Sequence, residues 1–317
     1  MKSSDNFQAG KFQNLEPIEA KSLWGFIKAR MTTDWAKWPK DVIINEGAPP
    51  PTSLNGSNAR ITFINHATVL IQVAGLNIIT DPHFTERCSP LSFAGPKRVH
   101  KPGIAFHNLP KIDAVLISHD HYDHLDLATI EKLVHRDAPV IFAGLGVKRH
   151  LEQDAKVIEM DWWDQKALSD NVAIHFAEVQ HFSGRGLWDK NTTLWGGFVI
   201  EVRGKTKIYF GGDSGYGGHY HRTYDRFGPM DLALIPIGAY APRDFMAPVH
   251  LDPAQAVQAH KDLHAKQSIG IHFGTFQLTA EQIDEPERLL KSARAEQQLG
   301  EDEFITLQPG SAFNLQL

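Results

Sequence analysis

The residues best suited to chemistry in this chain are crowded into one short segment. Three histidines and two aspartates fall between positions 119 and 124. The segment is Ser118-His119-Asp120-His121-Tyr122-Asp123-His124. Neutral imidazoles and carboxylates are ligands that zinc and similar divalent ions accept. We therefore predict that His119 and His121 face one metal ion, and that Asp123 and His124 turn back to hold a second.

The residues on either side of this segment explain how its ligands can converge. An apolar run at residues 112–117 predicts a buried strand, and helix-period apolar residues at 125–134 predict a helix. Ligands between a strand and a helix lie at a strand end, where side chains can meet around a cation. The alternative is a solvated polar turn, but ordinary turns use Gly, Asn and Ser rather than several histidines.

Candidate ligands also follow β-rich runs elsewhere in the chain. His181, Asp213 and His272 each come after a short run of strand-forming residues with glycine nearby. A single histidine at a strand end is more often an ordinary surface or core residue. The same design at several strand ends favours a shared metal site.

These residues carry a resemblance to a known family. The pattern His119-x-His121-x-Asp123-His124, followed by His181, Asp213 and His272, resembles the metallo-β-lactamase superfamily. From about residue 60 to about residue 290 the chain is also similar to N-acylphosphatidylethanolamine-hydrolysing phospholipases D. The blocks that carry this second similarity are Ile64-Asn65-His66-Ala67-Thr68-Val69, Thr80-Asp81-Pro82, Gly95-Pro96-Lys97-Arg98, Asp161-Trp162-Trp163, Leu194-Trp195-Gly196, Gly212-Asp213-Ser214-Gly215-Tyr216, Pro236-Ile237-Gly238-Ala239-Tyr240 and Ile271-His272-Phe273-Gly274-Thr275-Phe276.

The resemblance implies a fold, a ligand set and a reaction. The fold is an α/β (α+β) protein, an αββα sandwich of two sheets covered by helices. His119, His121 and His181 would hold the first ion, and Asp213 would bridge. The second ion would be held by Asp123, His124 and His272. The cofactor would be two divalent ions, zinc in the first place, with manganese or iron as alternatives.

The same resemblance implies further site residues. Asp123 would also orient the attacking hydroxide. His250 would bind a phosphoryl oxygen or help the leaving group depart; the alternative is a histidine before a helix cap with no catalytic role. Asp81 is a candidate acceptor for a hydrogen bond from a ligand imidazole, with strand termination by Asp81-Pro82 as the alternative. Tyr122 would line the cleft, with simple packing as the alternative. His260 also matches a family histidine, and a structural role is the stronger interpretation for it.

Several positions depart from the phospholipase pattern. Val249 stands where the family has a polar amide, Asp120 replaces an amide in the metal segment, and Phe273 replaces a tryptophan. Residues 183–186, just after His181, also differ from the family pattern. These changes leave the predicted ligands intact and affect only the choice of substrate.

Three functions are consistent with these observations. The first is a phospholipase D-type phosphodiesterase that releases N-acylethanolamine and phosphatidic acid from an N-acylated phosphatidylethanolamine. The second is a metallohydrolase of the same fold that acts on a soluble lactone, cyclic phosphate or other phosphoester. The third is a metal-binding protein without turnover, which seven intact candidate ligands disfavour.

Composition narrows the remaining choices. The net charge of −5 gives no reason to expect nucleic-acid binding. The single cysteine, Cys88, excludes an intrachain disulfide and is compatible with a reducing compartment. No apolar run reaches the roughly 20 residues that a membrane-spanning helix needs. We therefore predict a cytoplasmic protein with peripheral membrane contact, and the sequence leaves open whether it forms a homodimer.

The chain divides near residue 50 into an extension and a catalytic domain. Residues 1–16 show no pattern of a regular element, and residues 17–31 predict a helix in which Trp24 and Phe26 lie beside basic residues. Such a helix can lie on an anionic membrane or dock on the domain. Three consecutive prolines, at 49–51, separate the 1–50 extension from the 51–317 catalytic domain.

Overall fold

The computed structural model describes residues 4–18, 25, 31–56 and 58–316. The strands of the first half are β1 (Phe7–Gln8), β2 (Lys11–Phe12), β3 (Asn58–Asn65), β4 (Thr68–Val73), β5 (Leu76–Thr80), β6 (Ala114–Ile117), β7 (Val140–Gly144) and β8 (Lys156–Met160). Those of the second half are β9 (Gln165–Ser169), β10 (Val172–Ala177), β11 (Gly197–Val202), β12 (Thr206–Phe210), β13 (Leu232–Pro236), β14 (Gln267–Ile271), β15 (Phe304–Thr306) and β16 (Ala312–Gln316). The α-helices are α1 (Leu127–Asp137), α2 (His219–Phe227), α3 (Arg243–Met246), α4 (Pro253–Asp262) and α5 (Glu285–Glu296).

Two seven-stranded sheets form the body of the protein. The first has the order β16-β3-β4-β5-β6-β7-β8, and the second has the order β9-β10-β11-β12-β13-β14-β15. In the first, the pairs are antiparallel from β16 to β5 and parallel from β5 to β8. The second repeats this pattern, antiparallel from β9 to β12 and parallel from β12 to β15. The two sheets therefore share one topology, with three antiparallel pairs followed by three parallel pairs.

The sheets are buried on both faces. In β6, Ala114 and Leu116 join the core between the two sheets, whereas Val115 and Ile117 join the core under α1. Successive strand residues point to opposite faces, so a strand covered on both sides must be apolar throughout. In β12, Phe210 faces the other sheet, and its neighbour Tyr209 packs in the core that includes residues of α4 and α5. The predicted αββα sandwich is confirmed.

Side-chain caps fix where two helices begin. The Asp126 carboxylate accepts a hydrogen bond from the Thr129 amide at the start of α1. At the start of α4, the Asp252 carboxylate accepts one from the Gln255 amide at 2.8 Å, and Pro253 is the first helical residue. Both caps satisfy amides that have no partner inside the helix. Asp252 is thus the N-cap of α4, and Pro253 has no amide hydrogen that would need a partner there.

Some elements differ from the sequence-based prediction. Between β7 and β8 the chain forms a short 3-10 helix, Val147–His150. Strand β9 and helices α2 and α5 had no counterpart in the prediction. Residues 1–16 were expected to lack regular structure, but among those described, β1 and β2 pair as an antiparallel hairpin.

The described parts of the first 50 residues lie on the catalytic region. Phe12 is buried, and its amide donates to the Asn191 carbonyl at 2.8 Å. Farther along, the Val42 amide donates to the Val99 carbonyl, and the Trp38 indole donates to the Glu281 carbonyl at 2.8 Å. The helix predicted at residues 17–31 lies mostly outside the described residues. Among the helices that are described, none is long and apolar enough to cross a membrane.

Candidate metal centre

The predicted ligands meet because their strands end at one edge of the sandwich. Within the second sheet, β10 and β12 are both antiparallel to β11, and β14 runs parallel to β13 and β12. Their carboxyl ends therefore lie on the same side, where His181, Asp213 and His272 follow them. In the first sheet, β6 ends just before His119. The prediction that strand ends carry the site agrees with this geometry.

Three histidines form the first cluster of candidate ligands. His119 Nε2 lies 2.8 Å from His121 Nδ1, which lies 3.4 Å from His181 Nε2. Their ligand atoms all lie within 4.8 Å of one another. Imidazole nitrogens whose lone pairs converge in this way can coordinate one cation together.

The second cluster contains His124, Asp123 and His272. The Nε2 atoms of the two histidines are 3.2 Å apart, and each lies 3.3 Å from Asp123 Oδ2. Unlike the first cluster, this one combines imidazole and carboxylate donors, at the spacing of a single ion.

Asp213 lies between the two clusters. Its Oδ2 is 3.2 Å from His124 Nε2, and its Oδ1 is 3.0 Å from His272 Nε2. On the other side, Oδ2 lies 4.0 Å from His119 Nε2 and 3.8 Å from His181 Nε2. The carboxylate is therefore positioned to contact ions in both clusters.

Buried acceptors orient the ligand imidazoles. Asp81, fully buried, has its Oδ2 2.7 Å from His124 Nδ1, so that Nε2 of this histidine faces the cluster. Asp81 is held in turn by the Ser118 hydroxyl at 2.6 Å and the Ser118 amide at 2.7 Å. His181 Nδ1 lies 2.9 Å from the Val249 carbonyl. Contacts of this kind fix the tautomer and direction of a metal-bound histidine.

The charge balance of the site suits divalent ions. Burial lowers the pKa of His119 and His181 well below the usual range, which leaves them neutral. For Asp213, burial alone would raise the pKa, but the nearby imidazoles of His124 and His272 hold this pKa well below its usual range. For His272, burial lowers the pKa, but Asp213 and Asp123 outweigh it and raise the pKa to about 9. Ionised carboxylates facing histidines require positive charge, which a metal ion can supply.

His66 belongs to this site although its position in the sequence had not suggested a role. Its Nε2 lies 2.9 Å from Asp123 Oδ2, and its ring centroid lies 4.0 Å from that of His272. The His272 amide donates to the His66 carbonyl at 2.8 Å. His66 follows β3, whose direction matches that of β5, so it obeys the same strand-end rule as the ligands. That rule could have identified it from the sequence.

His66 and His272 share an unusual backbone conformation. Their φ angles are 44° and 62°, in the left-handed region that residues other than glycine rarely adopt. Such conformations persist where surrounding contacts over-determine them, and they cluster at functional sites. The hydrogen bond between the two residues is one such contact.

His250 lies beside the ligands. Its Nδ1 is 3.9 Å from Asp213 Oδ2, and its ring centroid is 5.2 Å from that of His181. Burial lowers the pKa of His250 to about 4, although Asp213 opposes this, so the imidazole is neutral near pH 7. The structure brings this residue to the centre as expected, and its role there stays a prediction.

Two of the other predicted residues have clear structural contacts. The Tyr122 hydroxyl donates to the Arg185 carbonyl at 2.9 Å, and the Arg185 guanidinium lies 4.1 Å from the centre of the Tyr122 ring. His260 is not brought to the centre. Its Nδ1 lies 2.8 Å from the Ser268 hydroxyl, and its ring stacks against Phe304. These contacts tie α4 to β14 and β15, as the structural interpretation of His260 expected.

An N-terminal residue reaches a ligand directly. The Asn14 side-chain nitrogen Nδ2 donates to the His181 carbonyl at 2.8 Å. The His181 backbone amide donates to the Asn14 side-chain oxygen at 3.1 Å. The Asn14 side chain thus pairs with both backbone polar groups of His181, as the backbone of a neighbouring strand would. Asn14 was not identified from the sequence, because the two residues are far apart in the chain.

Comparison with known proteins agrees with this geometry. A family model described as beta-lactamase superfamily domain matches residues 76–273. The chain belongs to the metallo-β-lactamase superfamily, and it is a metal-dependent hydrolase of that fold.

Within the superfamily, the chain has relatives that carry a more specific name. It is 36% identical over 263 residues to N-acyl-phosphatidylethanolamine-hydrolyzing phospholipase D 1 of Caenorhabditis elegans, which covers 78% of this chain and 74% of the relative. It is 33% identical to the mitochondrial enzyme of that name from Saccharomyces cerevisiae, over 80% of this chain and 54% of the relative. An uncharacterized protein of Mycobacterium tuberculosis is 36% identical over 92% of this chain and 81% of the relative.

Solved structures share the fold at lower sequence identity. A metallo hydrolase from Ignicoccus hospitalis superposes with a TM-score of 0.62 at 19% identity, covering 82% of this chain and 99% of the other. An isothiocyanate hydrolase from Delia radicum gut bacteria gives a TM-score of 0.63 at 19% identity, covering 80% of this chain and 98% of the other. These likenesses establish the architecture and leave the substrate to other arguments.

Proposed function

We propose that this protein is a phospholipase D-type phosphodiesterase that uses two divalent metal ions. It would hydrolyse N-acylphosphatidylethanolamine-like lipids to N-acylethanolamine and phosphatidic acid. One observation carries the choice of substrate: the 36% identity to the C. elegans phospholipase, which spans 78% of this chain. The positions that form the two clusters lie within the matched superfamily domain, residues 76–273.

The proposed ligand set follows the two clusters. His119, His121 and His181 would hold one ion. Asp123, His124 and His272 would hold the other, and Asp213 would bridge. Five imidazoles and two carboxylates suit zinc, and manganese or iron are alternatives. Two ions held in this way would activate a water molecule near neutral pH and stabilise charge on the attacked phosphoryl group.

The chain's own residues would position the reactants. Asp123 can accept a hydrogen bond from the attacking water, because its carboxylate has a second oxygen besides the Oδ2 that faces His66 and His272. His250, neutral and buried, can donate a hydrogen bond to a phosphoryl oxygen or to the departing oxygen. A buried Nδ1 without a hydrogen-bond partner in the described residues is available for such a contact.

Two departures from the phospholipase pattern have little effect on the metal centre. Val249 contacts the ligand His181 through its backbone carbonyl, which any residue supplies. Phe273 stacks on Phe63 at a centroid distance of 5.8 Å, in the core behind the site. Neither substitution alters a candidate metal ligand, so both are compatible with a lipid substrate.

Hydrolysis assays with paired substrates test the proposal. Detergent-dispersed N-acylphosphatidylethanolamine should give phosphatidic acid when zinc or manganese is present, and a chelator should abolish the reaction. Turnover of short soluble diesters or lactones without cleavage of the lipid would instead favour the soluble metallohydrolase. Absence of turnover with every substrate, in protein that retains its metal, would favour a non-catalytic metal-binding protein.

A His250→Ala variant tests the assignment of that residue. We expect metal content to stay at the wild-type value and kcat/KM to fall by roughly 10²-fold, as is typical when one positioned acid–base or hydrogen-bonding group is removed. His260→Ala is the matched control, since it removes another buried histidine that lies away from the centre. Loss of one metal equivalent from His250→Ala would make His250 a ligand.

Three features of the proposal concern the whole chain. The boundary between a 1–50 segment and a 51–317 catalytic region stays a prediction, as does a homodimer. Peripheral membrane contact through the first 50 residues also stays a prediction, because residues 19–24 and 26–30 lie outside the described residues.

A further inference from the structure

Two positions that depart from the phospholipase pattern lie against each other. One is Asp120 in the metal segment, and the other is the 183–186 segment, which follows the candidate ligand His181. The Gly184 amide donates to Asp120 Oδ1 at 2.7 Å, and the Arg185 guanidinium donates to the Asp120 carbonyl through Nη1 at 2.8 Å. The role of one position therefore depends on the other.

Arg185 bonds to the metal segment on both sides of its turn. Its Nη1 atom donates to the Leu125 carbonyl at 2.9 Å as well as to the Asp120 carbonyl, so one nitrogen joins the two ends of residues 121–124. Asp120 and Leu125 are fully buried, and a buried carbonyl needs a partner inside the protein. The guanidinium also lies 4.1 Å from the centre of the Tyr122 ring. Arg185 thus contacts the residues that lie between and beside the candidate ligands of this segment.

The Asp120 carboxylate connects the same segment to the loop that follows His181. Besides the Gly184 amide, it accepts the Thr193 hydroxyl at 2.8 Å, and His150 Nε2 lies 3.3 Å away. A carboxylate can receive several donors at once, because each of its oxygens has two lone pairs. Asp120 therefore holds both ends of the loop between Gly184 and Thr193.

An internal contact holds Arg185 in place within this loop. The Asp189 carboxylate accepts the Arg185 backbone amide at 3.1 Å. The loop begins just after His181, a candidate ligand from the second sheet, whereas the metal segment with His121 follows β6 of the first sheet. The two histidines face each other, with His181 Nε2 3.4 Å from His121 Nδ1. Arg185 and Asp120 therefore link the two chain segments that meet at the first cluster.

We propose that Arg185 and Asp120 form a positioning pair that sets the spacing of the metal ligands. They act through the backbone of the metal segment, because Arg185 bonds to its carbonyls and Asp120 lies between His119 and His121 in the chain. A metal site needs its ligands in place within a fraction of an ångström, so a segment that loosens binds metal more weakly. This inference rests on the proposed ligand set and not on the choice of substrate.

Chelator-competition titration of the full-length protein with zinc tests the pair. Arg185→Ala should weaken zinc affinity by about tenfold or more, as the loss of a supporting contact at a metal site does. Arg185→Lys keeps a cationic donor but loses the planar fork, so it should restore part of the affinity. Asp120→Ala should also weaken binding, whereas Asp120→Asn keeps an oxygen for the Gly184 amide and should stay closer to wild type.

A double variant tests whether the two residues act together. Residues that act as one unit have non-additive effects, so Arg185→Ala/Asp120→Ala should bind zinc about as weakly as the more impaired single variant. A loss equal to the product of the two single effects would overturn the joint role.

Arg136 provides a matched control. Its guanidinium donates to the Phe106 and Pro110 carbonyls at 3.0 and 3.1 Å and lies 4.8 Å from the centre of the Phe106 ring, and none of these residues is a candidate ligand. Arg136→Ala removes the same kind of contact and should leave zinc affinity unchanged.

Three results would contradict the positioning pair. Wild-type zinc affinity in Arg185→Ala or in Asp120→Ala would overturn the proposal, and so would equal losses in Arg185→Ala and Arg136→Ala. Wild-type protein that binds no zinc would refute the ligand set and this inference together. Lipid hydrolysis is no part of the measurement, so a failure of the proposed substrate would leave the inference standing.

Discussion

The Asp213 carboxylate is the single residue that both clusters share. It lies 3.2 Å from His124 on one side and 3.8 Å from His181 on the other. A bridging carboxylate offsets the repulsion between two cations, so its loss should affect both ions at once. Asp213→Ala should therefore lose the paired centre, with activity down by orders of magnitude while the fold survives. Elemental analysis and circular dichroism measure the two effects, and a variant that keeps both metals with near-normal turnover would show that Asp213 is not the bridge.

His66 should act on the centre through Asp123. Its ring nitrogen lies 2.9 Å from the Asp123 carboxylate, so we expect it to orient this candidate ligand. His66→Ala should weaken metal affinity by about 10–100-fold, the usual effect of losing such a partner. His66→Gln keeps an N–H donor and should restore part of that affinity.

Chelator-competition titration measures the affinity of the His66 variants. Complete loss of one metal equivalent in both variants would make His66 a ligand. Unchanged metal affinity in His66→Ala would show that His66 only packs against its neighbours.

At the scale of residues, the sequence identified most of the side chains that the structure brings together. The candidate ligands could be identified because histidine and aspartate are rare directly after apolar strands, and their number made coincidence improbable. His66 follows β3 in the same way, but its neighbours Asn65 and Ala67 do not make a ligand-rich turn. Asn14 gave no such indication, since its partner His181 is 167 positions away. Contacts of that kind depend on the fold and have no local pattern.

Among the secondary-structure elements, helix α4 offers the clearest test. The Asp252 carboxylate caps it through the Gln255 amide and also lies 3.0 Å from Arg243. Asp252→Ala should reduce the free energy of unfolding by about 1 kcal/mol, the usual cost of losing an N-cap. Asp252→Asn keeps a capping oxygen and should lose less. Denaturant unfolding gives both values, and equal stability of all three proteins would contradict the capping role.

The elements that the sequence did not predict have identifiable reasons. Helix α2, His219–Phe227, is largely polar and aromatic, so it lacks the apolar spacing of an ordinary amphipathic helix. Helix α5 has Pro286 at its start and acidic residues in its first turn, which are start signals that could have been used. Strand β15 has three residues, too few for a clear alternation. By contrast, β6 and β12 were evident because burial on both faces makes them continuous apolar runs.

At the scale of the whole molecule, the N-terminal segment is tied to the catalytic region. Asn14 bonds to the backbone of His181, and Glu16 lies 2.8 Å from Arg222. Deleting residues 1–50 should therefore lower hydrolysis of a short soluble diester as well as of lipid. Asn14→Ala should reproduce part of that loss by loosening a ligand. Full activity of the truncated protein on the soluble diester would contradict this role. The segment would then have a function only at the membrane.

Metal content tests the assignment of a two-metal centre most directly. Protein purified without chelator should contain about two equivalents of divalent metal, because the two clusters share one bridging carboxylate. Protein stripped by a chelator should regain both equivalents when zinc or manganese is added, and hydrolysis should return with them. A metal content that stays near zero after either ion is added would contradict the assignment of the site.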